Sequence, residues 1–123
     1  MFLKDRRRHH RFECTGHAEV LLATDAPLSP ARVVNVCNDG CLIEFIKSQK
    51  LDQDTAVELA FKVNRLPFRI RALAVAIRSE TAVGFEFTPL SERVRCQVEE
   101  LIEELASDWR KRLAAHRWHA DDL

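Results

Sequence analysis

The chain has 123 residues, 46% of them hydrophobic and 31% charged, with 19 basic and 19 acidic side chains, three Gly and four Pro. This composition excludes a disordered, collagen-like or low-complexity protein, and the length suits one domain with its own core. No apolar run approaches the roughly 18 residues of a membrane span, and the opening MFLKDRRRHHRF lacks the apolar centre of a secretory signal, so a cytoplasmic protein without membrane insertion is expected. Four cysteines make no disulfide framework, and reduced thiols are the expectation. The charge is unevenly spread. Residues 1–11 carry Lys4, Arg6, Arg7, Arg8 and Arg11 against Asp5, a net +4 that leaves −4 on the other 112 residues. A neutral body argues against coating DNA or RNA, which needs a broad basic surface, whereas an arginine-dense arm suits a small, compact anion.

From Phe12 to Thr88 the pattern alternates with period two. In a first strand Phe12, Cys14, Ala18, Val20 and Leu22 share one face, with Glu13, Thr15, His17 and Glu19 on the other. A Pro-bounded turn over 25–30 leads to a second strand over 31–36. Asn38-Asp39-Gly40 is a tight-turn sequence in which Gly40 is free to take positive φ, and a third strand follows over 41–46. After a polar loop over 48–54, Val57, Leu59, Phe61 and Val63 mark a fourth strand. Asn64-Arg65 turns it into a fifth, over 66–78. There the large apolar residues change phase between Phe68/Ile70 and Leu73/Val75/Ile77, which predicts a bulge or bend near Arg71. Val83, Phe85 and Phe87 form the sixth. Six short strands joined by turns indicate an all-β barrel or sandwich.

After Pro89 the period becomes helical. Ser91 is an N-cap, Glu92 sits at the positive end of the helix dipole, and Val94, Val98, Leu101, Leu105, Trp109 and Leu113 recur at three- and four-residue steps. The spacing predicts a helix from about 92 to about 116, longer than a barrel of this size needs as a cap. Trp109, Leu113 and Trp118 therefore suit self-association or docking on another protein.

Two segments carry candidate chemistry. Arg6-Arg7-Arg8-His9-His10-Arg11 presents planar, permanently charged forks that bind phosphate oxygens in pairs and stack on flat bases. Asn35-Val36-Cys37-Asn38-Asp39-Gly40 offers a carboxamide, a thiol and a glycine that admits close backbone approach. Together they resemble PilZ domains, whose signature is an RxxxR arm before the first strand and a (D/N)xSxxG turn between the second and third. Arg7 to Arg11 matches the arm, 35–40 matches the turn with Cys37 in place of serine, and Val83-Gly84-Phe85-Glu86-Phe87 with Leu90-Ser91-Glu92 is similar to the last strand and helix entry. The resemblance covers about residues 6–105. It implies a six-stranded antiparallel PilZ-type β-barrel with a flexible N-terminal arginine arm and a long C-terminal α-helix. The arm would span 1–11, the barrel 12–88, the helix 89–118 and a tail 119–123.

It also implies a receptor for cyclic di-GMP and not an enzyme, with no cofactor and no metal. Arg7 and Arg11 would hold phosphates and stack on guanines, Asn35 would bond a guanine edge, and Gly40 would let the chain pass close to the ligand. Arg6 stands where an arginine goes with capture of an intercalated ligand dimer, and Arg8 adds a contact. Ordering of the arm around the ligand would signal to an unidentified effector protein. A thiol at Cys37 is a weaker hydrogen-bonding group than a hydroxyl, which predicts retained but weakened binding.

Other readings were open on the residues alone. His9, His10, Cys14, His17, Cys37 and Cys41 are zinc-type ligands, but Cys14 and His17 point to opposite faces of a strand. Cys37 near arginines would have a lowered pKa and could sense redox state. The rival is a PilZ-like interaction module that has lost or weakened ligand binding, with Cys37 in place of Ser, and acts through its C-terminal helix by docking on a partner or forming a homo-oligomer.

Overall fold

The computed structural model describes residues 10–24 and 26–121, from 116 on by backbone alone. The strands are β1 (Phe12–Leu22), β2 (Ala31–Cys37), β3 (Gly40–Phe45), β4 (Ala56–Val63), β5 (Leu66–Ile77) and β6 (Ala82–Phe87), followed by one helix, α1 (Glu92–Asp121). All pairings are antiparallel, in the order β1-β2-β3-β6-β5-β4, and β1 closes on β4. The interior is filled by alternate residues of every strand, among them Val20, Val33, Ile43, Leu59, Ile70 and Val83.

Two irregularities shape the wall that matters for the site. In the β1–β2 ladder Glu13 pairs with Asn35 and Gly16 with Val33, so Cys14 and Thr15 face the single residue Val34. In the β2–β3 ladder Val34 is itself the extra residue, between the pairs Val33–Ile43 and Asn35–Leu42. The buried phase of β2 accordingly moves from Ala31 and Val33 to Val36. A bulge of this kind re-aims the side chains beyond it, and here it turns Asn35 to the outer wall.

The change of phase expected near Arg71 does not occur there. β5 keeps Phe68, Ile70, Ala72 and Ala74 inward, and the register slips later, between Ala74 and Ala76. Size misleads at this point. Ala72 and Ala74 pair with Phe87 and Phe85, so small residues beside large ones fill the interior, while Leu73 and Val75 lie half-buried outside. The third strand also starts and ends one residue earlier than expected, leaving Ile46 71% exposed just past it.

At one end of the barrel, α1 lies across the opening. Val98, Leu101 and Leu105 are buried in the core, and Val94 N donates to the capping Ser91 Oγ at 3.3 Å. The Asn64-Arg65 turn, with both φ angles positive as a two-residue hairpin of matching twist demands, meets the helix where Asn64 Nδ2 donates to Glu104 Oε1 at 3.0 Å. The helix runs five residues past the expected 116, because from Leu90 onward the sequence contains no Gly or Pro to stop it. Its 30 residues extend about 45 Å at 1.5 Å each, so the distal half projects beyond the barrel contact. Trp109 and Leu113 on that half are each 44% exposed.

Candidate ligand-binding site

Arg6, Arg7 and Arg8, expected to supply much of the arm's chemistry, lie outside the described residues. The arm is described from His10, whose ring meets Phe12 edge-on at 4.6 Å and Trp109 at 5.7 Å. This brings the base of the arm against the distal half of α1. Arg11 is half-buried, its Nε is enclosed, and its positive charge is felt at Cys41 on β3. Arg11 therefore enters the same corner as the segment 35–40.

Within that segment Asn35 sits between Glu13 on β1 and Leu42 on β3. It is half-buried, and its Oδ1 is enclosed and accepts no hydrogen bond among the described residues. An enclosed carbonyl oxygen without a donor costs about 1–3 kcal/mol, which a ligand donor would relieve.

Cys37 is buried, and its Sγ donates to Asp39 Oδ1 at 3.0 Å across the turn. Burial pushes this thiol up from its ordinary range, and the Asp39 carboxylate adds to the rise. That corrects the expectation of an arginine-lowered, redox-poised thiolate: among the described residues the groups around Cys37 favour the neutral thiol.

Gly40 also serves a different purpose from the one expected. The positive-φ residues among those described are Asp54, Asn64 and Arg65, and no glycine is among them. Gly40 begins β3 and pairs with both Cys37 and Glu86, and a Cβ there would run into the Phe85 carbonyl oxygen. The glycine is required because β3 and β6 approach closely. Phe87 N donates to Asp39 O at 2.8 Å, tying the turn to the exit of β6.

One feature of this wall had no signal in the sequence. Between the β1 bulge and the far part of α1 runs an open groove of about 720 Å³, lined by Glu13, Thr15, Arg32, Val34, Lys111 and Arg112 among others. Arg32 Nη2 donates to Glu44 Oε1 at 2.5 Å at its edge. Residues as far apart in sequence as Glu13 and Arg112 form one surface here, which periodicity does not reveal. Of the zinc-type ligands, Cys14 is half-buried while His17 is exposed on the opposite side of β1, and among the described residues no three His, Cys, Asp or Glu side chains gather as a metal site.

The family model of the PilZ domain matches residues 5–104. Among solved structures, YcgR of Escherichia coli in complex with c-di-GMP is similar at a TM-score of 0.74 and 19% identity, over 89% of this chain and 50% of that one. This chain thus spans half of that longer protein. The PilZ domain of YcgR with c-di-GMP is similar at 0.70 and 18% identity, over 89% of this chain and 98% of that one. The PilZ domain of CeSA from a cellulose-synthesizing bacterium follows at 0.65 and 18%, over 79% and 98%. No curated protein matches the chain. At these identities the likeness is one of fold.

Proposed function

This chain belongs to the PilZ domain family, and on that premise we propose that it is a receptor for cyclic di-GMP, acting by binding and not by catalysis. The observation that carries the reading is Asn35: a carboxamide turned outward by a bulge, its Oδ1 enclosed and without a donor among the described residues, on the wall that Arg11 enters. Asn35 would take a guanine edge, and Arg7 and Arg11 would pair with the phosphates and stack on the bases. Arg6 and Arg8 would complete the clamp, with Arg6 favouring an intercalated ligand dimer. Two structures of one relative of the same fold, YcgR with c-di-GMP, support this choice of ligand.

The output would be a surface. Drawing the arm onto the barrel changes what lies beside Trp109 and Leu113, and an effector protein would read that change. The Cys37 thiol, engaged with Asp39, is a poor substitute for a hydroxyl, so it sets the strength of binding while the arginines decide whether binding occurs. Calorimetry with cyclic di-GMP tests the proposal. Arg7→Ala and Arg11→Ala should each weaken binding about 10- to 150-fold, the equivalent of roughly 1.5–3 kcal/mol for a charged hydrogen bond, and Cys37→Ser should alter it far less. No heat at high-micromolar ligand would leave the rival reading, an interaction module acting through its helix.

A further inference from the structure

We infer that Glu13 is a second guanine-reading residue, so that Asn35 and Glu13 together form a two-strand reader for the base edge. The inference rests on the receptor reading above and sharpens it.

Glu13 and Asn35 are direct cross-strand partners in the β1–β2 ladder, and such partners project from the same face of a sheet with Cβ atoms about 5 Å apart. Glu13 is exposed, and among the described residues its carboxylate has no hydrogen bond or ion pair. Glu44 on β3 takes Arg32 and Glu58 on β4 takes Arg69, while Glu13, like Glu19 and Glu86 on the same sheet, has no cationic partner among the described residues. Glu13 lines the groove that runs from the β1 bulge toward Lys111 and Arg112.

The chemistry of guanine asks for such a pair. Its edge presents two adjacent N–H donors, at N1 and at the exocyclic amine, beside the O6 acceptor. A carboxylate accepts both donors at once, in the way it accepts an arginine fork. An amide alone offers one acceptor and one donor. Asn35 at the family's Asp/Asn position therefore reads part of the edge, and Glu13 beside it supplies the missing charge and acceptor. Arg32, Lys111 and Arg112 outnumber Asp108, the other acidic residue lining the same groove, and offset the repulsion between Glu13 and a ligand phosphate. The arrangement depends on the bulge, because without Val34 as the extra residue Asn35 would face the core.

The test compares cyclic di-GMP with cyclic di-IMP, in which inosine lacks the exocyclic amine, on the whole chain and on Glu13→Ala and Glu13→Gln. The parent chain should prefer cyclic di-GMP by about tenfold or more, and Glu13→Ala should lose most of that preference, with Glu13→Gln intermediate. Cyclic di-IMP, which keeps N1–H but lacks the amine, should weaken in the variants too, though by less than cyclic di-GMP does. A preference unchanged in Glu13→Ala overturns the inference while leaving the receptor reading intact. Failure of the parent chain to bind cyclic di-GMP overturns both. Because Glu13 is exposed, matching thermal melts of parent and variants separate a binding effect from a folding one.

Discussion

The imidazole of His10 lies 5.7 Å from the indole of Trp109, centroid to centroid, at a tilt of 49°. The residue next to Arg11 thereby rests on the exposed half of α1, so any movement of the arm onto the barrel disturbs Trp109. In a Trp118→Phe variant, which leaves Trp109 as the sole indole, cyclic di-GMP should shift the tryptophan emission along a saturable curve matching calorimetry. Emission that stays constant while heat is released would mean that the arm closes without leaving the helix.

Two glycines should be far less tolerant of substitution than surface positions. A methyl at Gly16 meets the Lys62 carbonyl oxygen, and one at Gly40 meets that of Phe85, both backbone atoms of a neighbouring strand. Gly16→Ala and Gly40→Ala should each lose about 1–3 kcal/mol or more, with Gly16→Ala the worse because its approach is closer. Urea or thermal unfolding measures this, and a loss below about 0.5 kcal/mol at either site would mean that the strands part readily.

Stability should fall in mild alkali. Burial raises the Cys14 thiol from its ordinary 9.0 to about 11, and burial pushes Cys41 up as well. A folded state that disfavours the thiolate keeps its full advantage below about pH 9 and loses it as pH climbs through the folded value. The chain has no tyrosine to obscure that window. Melting temperature should drop between about pH 9 and 11, and the drop should shrink in Cys14→Ala. A slope unaltered by that substitution would place the titration elsewhere.

The same burial predicts an order of alkylation. Cys96 is exposed, whereas Cys37 and Cys41 are buried and Cys14 half-buried with a raised thiol. Iodoacetamide on the native chain near pH 8 should modify Cys96 first and the other three slowly, as peptide mass spectrometry would read. Rapid labelling of Cys37 would restore the redox reading.

The two halves of α1 should differ in weight. Leu101 is fully enclosed against the barrel, so Leu101→Ala should cost about 2–5 kcal/mol. Leu113 is 44% exposed beyond that contact, and Leu113→Ala should stay within about 0.5 kcal/mol. A large loss at Leu113, read by thermal unfolding, would mean that the projecting half is already covered by another copy.

Much of this architecture was legible in the residues. Alternation located every strand, the Asn64-Arg65 turn stood where two short-range partners reverse the chain, and Ser91 marked the helix start. Legibility failed where small residues face inward: Ala72 and Ala74 are core, yet the eye follows Leu73 and Val75 and finds a kink at Arg71. It failed at Gly40 for a different reason, since a glycine in a turn suggests a rotated backbone while the cause is a neighbouring strand far off in sequence. Asn35, Cys37 and Gly40 could be named as a motif, but the bulge at Val34 that aims Asn35, and its pairing with Glu13, depend on ladders between distant segments.

The closure of β1 on β4 reaches past architecture into how this chain meets its neighbours in a crowded cell. Among the described residues every strand has a neighbour on both sides, so the sheet has no free edge strand onto which an extended peptide or a misfolded homologue could zip. Fibril-type stacking is denied a template, and an effector cannot lengthen the sheet to make its contact. Whatever reads this protein must grip side chains.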